Sequence, residues 1–492
     1  MNAGAWLNGR SHAPALRAQR QLDTRKWTLR WPTNPEFNIV VIWLEGFTFV
    51  TMSQTLDDPQ PHHADNLNDR RTLNGWALFD WANSAFALVI TTAIFPAYFA
   101  GIIDDRFTVL GIEFSKSAWF TFIITLSYFV IATLSPLLSG IADAGGRRKW
   151  FLRLFTTVGG LACISLFFFT GMDTLWLGTL SFALGLIGFA GGLVFYNSFL
   201  PVIATPDRFD KLSARGFAMG YVGSVLLLLL NLAMIQQPAW FGLPTEGTLA
   251  VRVTFVTVGV WWLVFAAVSL SRLPDDVRTK GNGIADMARM GWAELTSVWK
   301  KVKDAPNTLI FLAAFFSYSA GVQTVIFLAS TFAEIELGFE TQELIIVVLI
   351  LQVVAIGGAY LAASVSKRYG NKTGLYFQLI IWTAICLAGY FVEGKTTFYT
   401  VAAAVGLVMG GIQSLSRSTY AKLIPSREDT TSYFSFYDVL EKVAIVLGTA
   451  IFGLLDLLTG SMRTSLLMLS VFFAAGMVLL LWFRLPRGKV EG

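Results

Sequence analysis

The sequence predicts an all-α membrane protein with twelve transmembrane helices, and three observations support that fold class. Hydrophobic residues make up 54% and charged residues 14% of the 492-residue chain, whereas a soluble domain carries about 25% charged residues. The mean hydropathy is +0.59, so lipid must solvate much of the apolar exterior. Twelve apolar runs are long enough to cross about 30 Å of hydrocarbon, which takes roughly 20 residues.

The twelve runs form two sets of six around a polar segment rich in Lys and Arg, which shows amphipathic spacing in its second part. In chain order they begin at Trp76, Ala118, Phe151, Leu175, Phe217, Val251, Thr308, Leu344, Leu375, Phe398, Phe434 and Ser465.

We therefore expect five segments along the chain. They are a cytoplasmic N-terminal tail (1–75), an N-terminal six-helix bundle (76–270), a cytoplasmic linker (271–307), a C-terminal six-helix bundle (308–483) and a cytoplasmic tail (484–492).

The first 51 residues do not fit this scheme, because their apolar stretch from Ile39 to Val50 is too short to span a membrane. The sequence from Met52 onward instead resembles an ordinary polar tail that ends in the basic pair Arg70 and Arg71. We expect Met52 to be the biological start and residues 1–51 to be an extension.

The basic residues between the runs predict the orientation, since short cytoplasmic loops carry an excess of Lys and Arg. The segments after odd-numbered helices hold few: Arg106, Lys116, Lys395 and Arg463, with Arg252 at one margin. The segments after even-numbered helices hold Arg147, Arg148, Lys149, Arg208, Lys211, Lys367, Arg368, Lys372, Arg417, Lys422 and Arg427. Both termini are predicted to be cytoplasmic, and the compact loops favour a bacterial inner (plasma) membrane.

Several function classes find little support in the composition. The pI of about 9.1 reflects this loop pattern rather than a nucleic-acid-binding face. The two cysteines, Cys163 and Cys386, lie inside apolar runs, and all three histidines precede the first run, so we expect no disulfide, metal or cofactor. The string GYFVEGKT at 389–396 lacks the strand, turn and helix of a phosphate-binding loop.

The two halves repeat, as they do in many transporters. Gly146 and Gly370 lie about 224 residues apart, and so do Pro201 and Pro425. Cys163 with Cys386 and Gly223 with Gly448 have nearly the same offset. Two further Gly-x-x-x-Gly spacings, 216–220 and 406–410, predict close packing between helices inside the bundle rather than a dimer contact.

The loop SGIADAGGRRKW at 139–150 resembles the major facilitator signature, in which an acidic helix end and a basic turn form a cytoplasmic gate. Asp143, Gly146, Arg147 and Arg148 match that pattern, whereas Ser139 and Ala144 depart from it. In the second half, Lys367 stands where the acid would be. The alternative is a basic cytoplasmic loop with a glycine turn and no gating role.

The chain also resembles one branch of this superfamily, the vacuole-effluxer-like group related to a yeast autophagy permease that exports amino acids from the vacuole. The resemblance is carried by FDWANSAF in helix 1, FYNSFLP (195–201), SARGFAMGYVGS (213–224), GVQTVIF (321–327), GGIQSLSRSTYAKLIP (410–425) and YFSFYDVLEKVAIVLG (433–448). It implies two six-helix bundles related by pseudo-twofold symmetry that transport a small solute by alternating access. It further implies amino acids as the first substrates to test, in the export direction. We expect the protein to be a monomer.

Polar residues inside apolar helices point to the transport path, because an ionisable group at membrane depth usually faces a partner or a water-filled cavity. Helices 1, 4, 7 and 10 line the central cavity in the fold that the chain resembles, with helix 11 beside them. The candidate path residues on these helices are Asp80, Asn83, Tyr196, Asn197, Gln323, Gln413, Ser414, Asp438, Glu441 and Lys442.

We hypothesise that a carboxylate among Asp80, Asp438 and Glu441 changes protonation during transport, with the proton as coupling ion. Lys442 has three candidate partners: a carboxylate of its own helix, Asp80, or an anionic substrate group. The alternative is a static ion pair that only holds helices in register.

Other functions stay open at this point. A carrier of a drug, sugar or lipid fits the same fold. A membrane enzyme would need a convergent catalytic set, which only Asp438 with Glu441 approaches, so we expect a protein that is not an enzyme. A non-transporting receptor or scaffold is the remaining class.

Overall fold

The computed structural model describes residues 67–276 and 284–485, together with the backbone of four strands between residues 18 and 54. In the described part, twelve helices are long and apolar enough to cross a membrane. We number them 1 to 12: Arg70–Ile102, Lys116–Gly145, Arg148–Phe168, Met172–Ile203, Phe209–Gln236, Leu249–Leu270, Pro306–Leu337, Gln342–Tyr369, Asn371–Tyr390, Lys395–Ala421, Thr430–Thr459 and Met462–Trp482.

All twelve predicted helices are present in the predicted order, which confirms the all-α membrane fold. Several begin earlier than the apolar runs do: helix 1 begins at Arg70 and helix 5 at Phe209. Hydropathy detects only the apolar part of a helix, whereas the backbone stays helical through polar ends that can be capped. Asp69 caps helix 1, because its carboxylate accepts a 2.8 Å hydrogen bond from the amide of Thr72.

Helix 1 is the most irregular of the twelve. Its α-helical parts, Arg70–Ala85 and Phe95–Ile102, flank a π-helical segment at Phe86–Ile94, with Pro96 just beyond it. A π-helical turn widens the helix, and proline cannot donate the next backbone hydrogen bond.

Outside the spans, residues 67–276 and 284–485 also form a hairpin, a short turn and a helix. Strands Arg106–Val109 and Ile112–Ser115 form an antiparallel hairpin between helices 1 and 2. A short 3₁₀ turn, Pro238–Phe241, follows helix 5. The linker helix, Ile284–Lys303, packs on helix 2, where Gly291 meets the backbone of Gly140.

The N-terminal part forms a separate unit, residues 1–66. Its strands Ala18–Gln19, Lys26–Arg30, Phe37–Leu44 and Phe47–Gln54 are arranged as an antiparallel sheet in chain order. Residues 39–44 and 47–50 of the apolar stretch that is too short to span belong to the last two of these strands.

The repeated residue pairs occupy equivalent places in the two sets of six helices. Gly146, between helices 2 and 3, has φ of +57°, and Gly370, between helices 8 and 9, has φ of +85°, so both use backbone freedom that glycine provides. Gly223 of helix 5 packs against the backbone of helix 1, and Gly448 of helix 11 against that of helix 7. These matches confirm the internal repeat.

Glycines also explain how closely the helices pack. A Cβ at Gly358 of helix 8 would overlap the carbonyl of Leu407 in helix 10, and one at Gly406 would lie 2.6 Å from the carbonyl oxygen of Leu351. Gly216 and Gly220 likewise face helix 1. Both Gly-x-x-x-Gly spacings therefore serve packing within the bundle.

Candidate functional site

Asp80 of helix 1 and Arg417 of helix 10 form a buried ion pair between the two halves of the molecule. Their side chains are 6% and 2% exposed, and Arg417 Nη2 lies 3.3 Å from Asp80 Oδ2. The hydroxyl of Tyr196 donates a 2.8 Å hydrogen bond to the same oxygen. Helices 1, 4 and 10 thus supply one polar cluster.

Arg417 has further partners that satisfy its guanidinium. It donates to Asn197 Oδ1 at 3.2 Å, to the hydroxyl of Ser213 at 2.9 Å and to the carbonyl of Ser213 at 2.9 Å. The rings of Trp76 and Phe217 lie 4.7 Å and 4.2 Å from its central carbon, which favours a cation. We call Asp80, Tyr196, Asn197, Ser213 and Arg417 the Asp80–Arg417 cluster.

Local sequence makes room for this cluster. Gly216 of helix 5 lies beside it, and a Cβ there would overlap Asp80 Oδ2 and lie 3.0 Å from Arg417 Nη2. Trp76 stacks on Tyr196 with ring centroids 4.5 Å apart, and its indole donates to the carbonyl of Tyr196 at 3.0 Å. Helices 1 and 4 are therefore held together around the carboxylate.

A second cluster lies on helices 7 and 11, and we call it the helix-11 cluster: Gln323, Asp438, Glu441 and Lys442. Lys442 pairs with Asp438, four residues earlier, and its Nζ lies 3.8 Å from Glu441 Oε2. Gln323 donates a 3.2 Å hydrogen bond to Glu441. Glu441 is the most accessible of the charged three, with a side chain 24% exposed, while Lys442 is 6% and Asp438 4% exposed.

The two clusters do not merge. Lys442 pairs within helix 11, and Asp80 takes Arg417 as its partner, so the contact between Lys442 and Asp80 considered from the sequence is not formed. At 1.5 Å per residue, Asp80 lies about 15 Å from the start of helix 1 and Lys442 about 18 Å from the start of helix 11.

The other candidate path residues are placed as follows. Tyr221 of helix 5 donates a 2.8 Å hydrogen bond to Gln413 of helix 10. Ser414 is buried, and its carbonyl accepts a 2.8 Å bond from Ser213. Asn83 is buried as well, and its Oδ1 has no hydrogen-bond partner within residues 67–276 and 284–485.

The C-terminal end of helix 2 joins the two halves through Asp143. Its carboxylate accepts hydrogen bonds from the amides of Ser432 at 2.7 Å and Thr431 at 3.3 Å, which are the free amides at the start of helix 11. A carboxylate at a helix N-terminus is stabilised by the helix dipole. Arg148 lies 3.4 Å from the same carboxylate and donates to the Thr431 hydroxyl at 3.0 Å.

The four gate residues predicted from the sequence therefore differ in their environment. Asp143 and Arg148 are brought together and buried, and Gly146 makes the left-handed turn between them. Arg147 is exposed.

A second junction between the halves is built around Asp210, an acid at the start of helix 5 rather than at the end of helix 8. Asp210, in the first turn of helix 5, lies 2.7 Å from Lys422 beyond the end of helix 10. It also accepts hydrogen bonds from Ser366 of helix 8 at 2.9 Å and Asn371 of helix 9 at 2.8 Å. Lys367 stands where the second-half motif would have its acidic residue, and Asp210 of helix 5 provides a carboxylate at this junction instead.

These contacts lie toward one end of the bundle. We call the end that carries the segments after even-numbered helices the basic face. Within residues 67–276 and 284–485, the hydrogen bonds and ion pairs between helices 1–6 and 7–12 lie between that face and the level of Tyr221 with Gln413. The structure is therefore closed at the basic face.

Sequence reasoning missed Arg417 and Asp210. The charge pattern places Arg417 in the loop after helix 10, but that helix continues to Ala421, so the guanidinium lies inside the bundle. Pro425 could have indicated this position, because it ends the motif at 410–425 and no earlier proline stops the helix near Arg417. In the described ranges, no group of three His, Cys, Asp or Glu side chains is placed to hold a metal ion.

The fold defines the class. The structure resembles FucP, a major facilitator superfamily transporter, with a TM-score of 0.61 at 13% identity, covering 84% of this chain and 100% of that one. It also resembles the human organic anion transporter MFSD10, with a TM-score of 0.63 at 13% identity, covering 86% and 100%. The protein has the major facilitator fold.

The family follows from sequence comparison. A family model described as vacuole effluxer Atg22 like matches residues 68–492. The uncharacterized MFS-type transporter YxiO of Bacillus subtilis is 31% identical over 408 residues, covering 83% of this chain and 93% of that protein. Autophagy-related protein 22 of Eremothecium gossypii is 25% identical, covering 86% and 92%. The chain belongs to the vacuole effluxer Atg22-like family, and it is a transporter of the major facilitator class rather than an enzyme.

Proposed function

We propose that the protein is a secondary active transporter that exports amino acids by alternating access. The observation that carries this proposal is the Asp80–Arg417 pair, which closes the space between the two halves at the basic face. The description of the family as vacuole effluxers supports export.

In this proposal the contacts at the basic face act as a gate. Opening separates Arg417 from Asp80 and separates Asp143 from the start of helix 11, and water then solvates the charges. Buried ion pairs are suited to such a role, because they hold one geometry without adding much net stability over solvated charges.

The helix-11 cluster serves as the coupling and binding site. Glu441 contacts Gln323 and Lys442 and is partly exposed, so it can exchange a proton. The positive charge of Lys442 balances the negative charge of Asp438 when that carboxylate is ionised. When Glu441 is protonated, Lys442 keeps its pair with Asp438 but loses the second carboxylate, so its ammonium can also contact an anionic group of the solute. Asp80, Asn83, Tyr196, Asn197, Gln413 and Ser414 line the route to the basic face.

Cellular setting and assembly complete the proposal. We place the basic face and both termini in the cytoplasm on the positive-inside rule, and the protein as a monomer in a bacterial plasma membrane. The similarity to a Bacillus subtilis protein supports a bacterial setting. The domain bounds at 76–270 and 308–483 stay predictions.

Transport by the purified protein in liposomes tests this function. Vesicles loaded with labelled amino acids should release them faster than protein-free vesicles, with a further increase under an imposed proton gradient. Glu441→Gln should abolish the response to the gradient and leave exchange of solute across the membrane. Glu393→Gln is the matched control, because Glu393 lies exposed between helices 9 and 10.

The outcomes separate the alternatives. Flux of a sugar, drug or lipid without flux of any amino acid would reject amino acids as the substrate class but would leave the proposed carrier function standing. Wild-type flux that is unaffected by Glu441→Gln would reject the coupling role. Absence of flux for every solute would favour a receptor or scaffold.

A further inference from the structure

The linker helix presents an exposed aromatic and basic face. Gly291, Val298 and Val302 form its buried stripe, toward the rest of the protein. Trp292 and Trp299 are 63% and 42% exposed. Because successive residues turn by about 100° around a helix, the two tryptophans point within about 20° of each other, beside the buried stripe.

Three basic residues extend the same face. Arg289, Lys300 and Lys303 are exposed, and the same helical geometry places them within about 100° of the tryptophans. Within residues 67–276 and 284–485, none of the three is paired with a carboxylate. The ammonium of Lys303 lies 5.2 Å from the Trp299 ring.

The position of this face suits the membrane surface. Exposed Trp150, at the start of helix 3, is a third tryptophan at the basic face. Tryptophan is enriched where a membrane protein crosses the headgroup region, and helices with aromatic and basic residues on one face bind anionic lipid.

The linker helix also bridges the two halves. Gly291 contacts Gly140 of helix 2. Lys301 lies 2.5 Å from Asp429, just before helix 11, and Trp299 packs against Phe436 of helix 11 with ring centroids 5.4 Å apart. The hydrogen bond with Asp429 raises the pKa of Lys301, which keeps this tether charged. Asp143 joins the same two helices.

We infer that the linker helix docks on an anionic phospholipid surface through Arg289, Trp292, Trp299, Lys300 and Lys303, and thereby favours the state closed at the basic face. Trp292 and the exposed part of Trp299 enter the headgroup region, and the cations bind lipid phosphates. A docked linker helix resists separation of helices 2 and 11, to both of which it is attached.

Hydrogen exchange of the full chain in nanodiscs tests this inference without reference to transport. The nanodiscs contain phosphatidylcholine alone or with added phosphatidylglycerol. Each basic residue near an anionic surface changes binding by about fivefold, so we expect phosphatidylglycerol to slow exchange at 284–303 by at least about fivefold. High salt should remove the slowing in the unmodified protein.

Variants assign the effect to this face. The triple variant Arg289→Gln, Lys300→Gln, Lys303→Gln should lose the slowing, and Trp292→Ala should reduce it. Trp240→Ala should keep it, because Trp240 is 76% exposed in the segment after helix 5, at the other end of the bundle.

Two results would overturn the inference. One is equal exchange at 284–303 with and without phosphatidylglycerol in the unmodified protein. The other is slowing that follows protein density in the membrane rather than lipid charge, which would show that a second copy covers the face. Both results come from hydrogen exchange and not from solute flux, so they can be interpreted whether or not the protein transports amino acids.

Discussion

Removing the carboxylate of Asp80 should open the basic face. Asp80→Asn leaves Arg417 buried without a counter-ion, and breaking one side of a buried pair costs about 3–5 kcal/mol. Arg417 keeps its bonds to Asn197 and Ser213 and its aromatic neighbours, so we expect the lower part of that range. Water solvates the guanidinium in the open state, so the cost applies to the closed state. A cost of about 3 kcal/mol shifts the equilibrium toward opening by roughly 150-fold.

The assay follows a buried reporter thiol. Both native cysteines, Cys163 and Cys386, are buried and free, and are replaced by alanine. Ser414→Cys then places a thiol where the native side chain is fully buried and its hydroxyl donates to the carbonyl of Gly411 in its own helix. A membrane-impermeant thiol reagent, added at the basic face, labels it at a rate proportional to the open fraction.

A double-mutant cycle and a control make the test decisive. Asp80→Asn with Arg417→Gln removes both charges, so labelling should increase less than the single changes predict together. Arg106 and Glu113 form an exposed pair, with side chains 77% and 61% exposed, and Glu113→Gln should leave labelling unchanged. Equal labelling of Asp80→Asn and the parent protein would refute the gating role of the pair.

Three further predictions concern the junctions between helices. Arg148→Gln should raise thiol labelling several-fold, because it removes the buried partner of Asp143, whereas exposed Arg147→Gln should not. Asp210→Asn should also raise labelling, because Lys422 loses its carboxylate; unchanged labelling would limit that junction to a structural role. Gly358→Ala should lower the melting temperature in detergent, with a cost of about 1–3 kcal/mol from overlap with helix 10. Gly357→Ala is its control, since a Cβ there meets no atom within 4 Å; equal melting temperatures would contradict the packing argument.

The sequence alone was sufficient for the number, order and class of the helices. Crossing a lipid core requires long apolar helices whatever their neighbours are, so hydropathy reports them directly. The ends of the helices were harder to predict from hydropathy, because Arg70 and Asp210 belong to helices that begin before their apolar part. The repeat was also visible, since equivalent turns and packing contacts need glycine in both halves.

The partners of the charged residues were decided by the tertiary structure. Local spacing made a carboxylate of its own helix one of three candidate partners for Lys442, because residues three and four apart share one helix face, and in the structure Lys442 pairs with Asp438. Asp80 and Arg417 are 337 residues apart, and no local pattern relates them. They meet only because helices 1 and 10 from the two halves approach each other beside Gly216. The sequence therefore determined which groups are costly to bury, while the packing of the two halves determined which opposite charge each group meets.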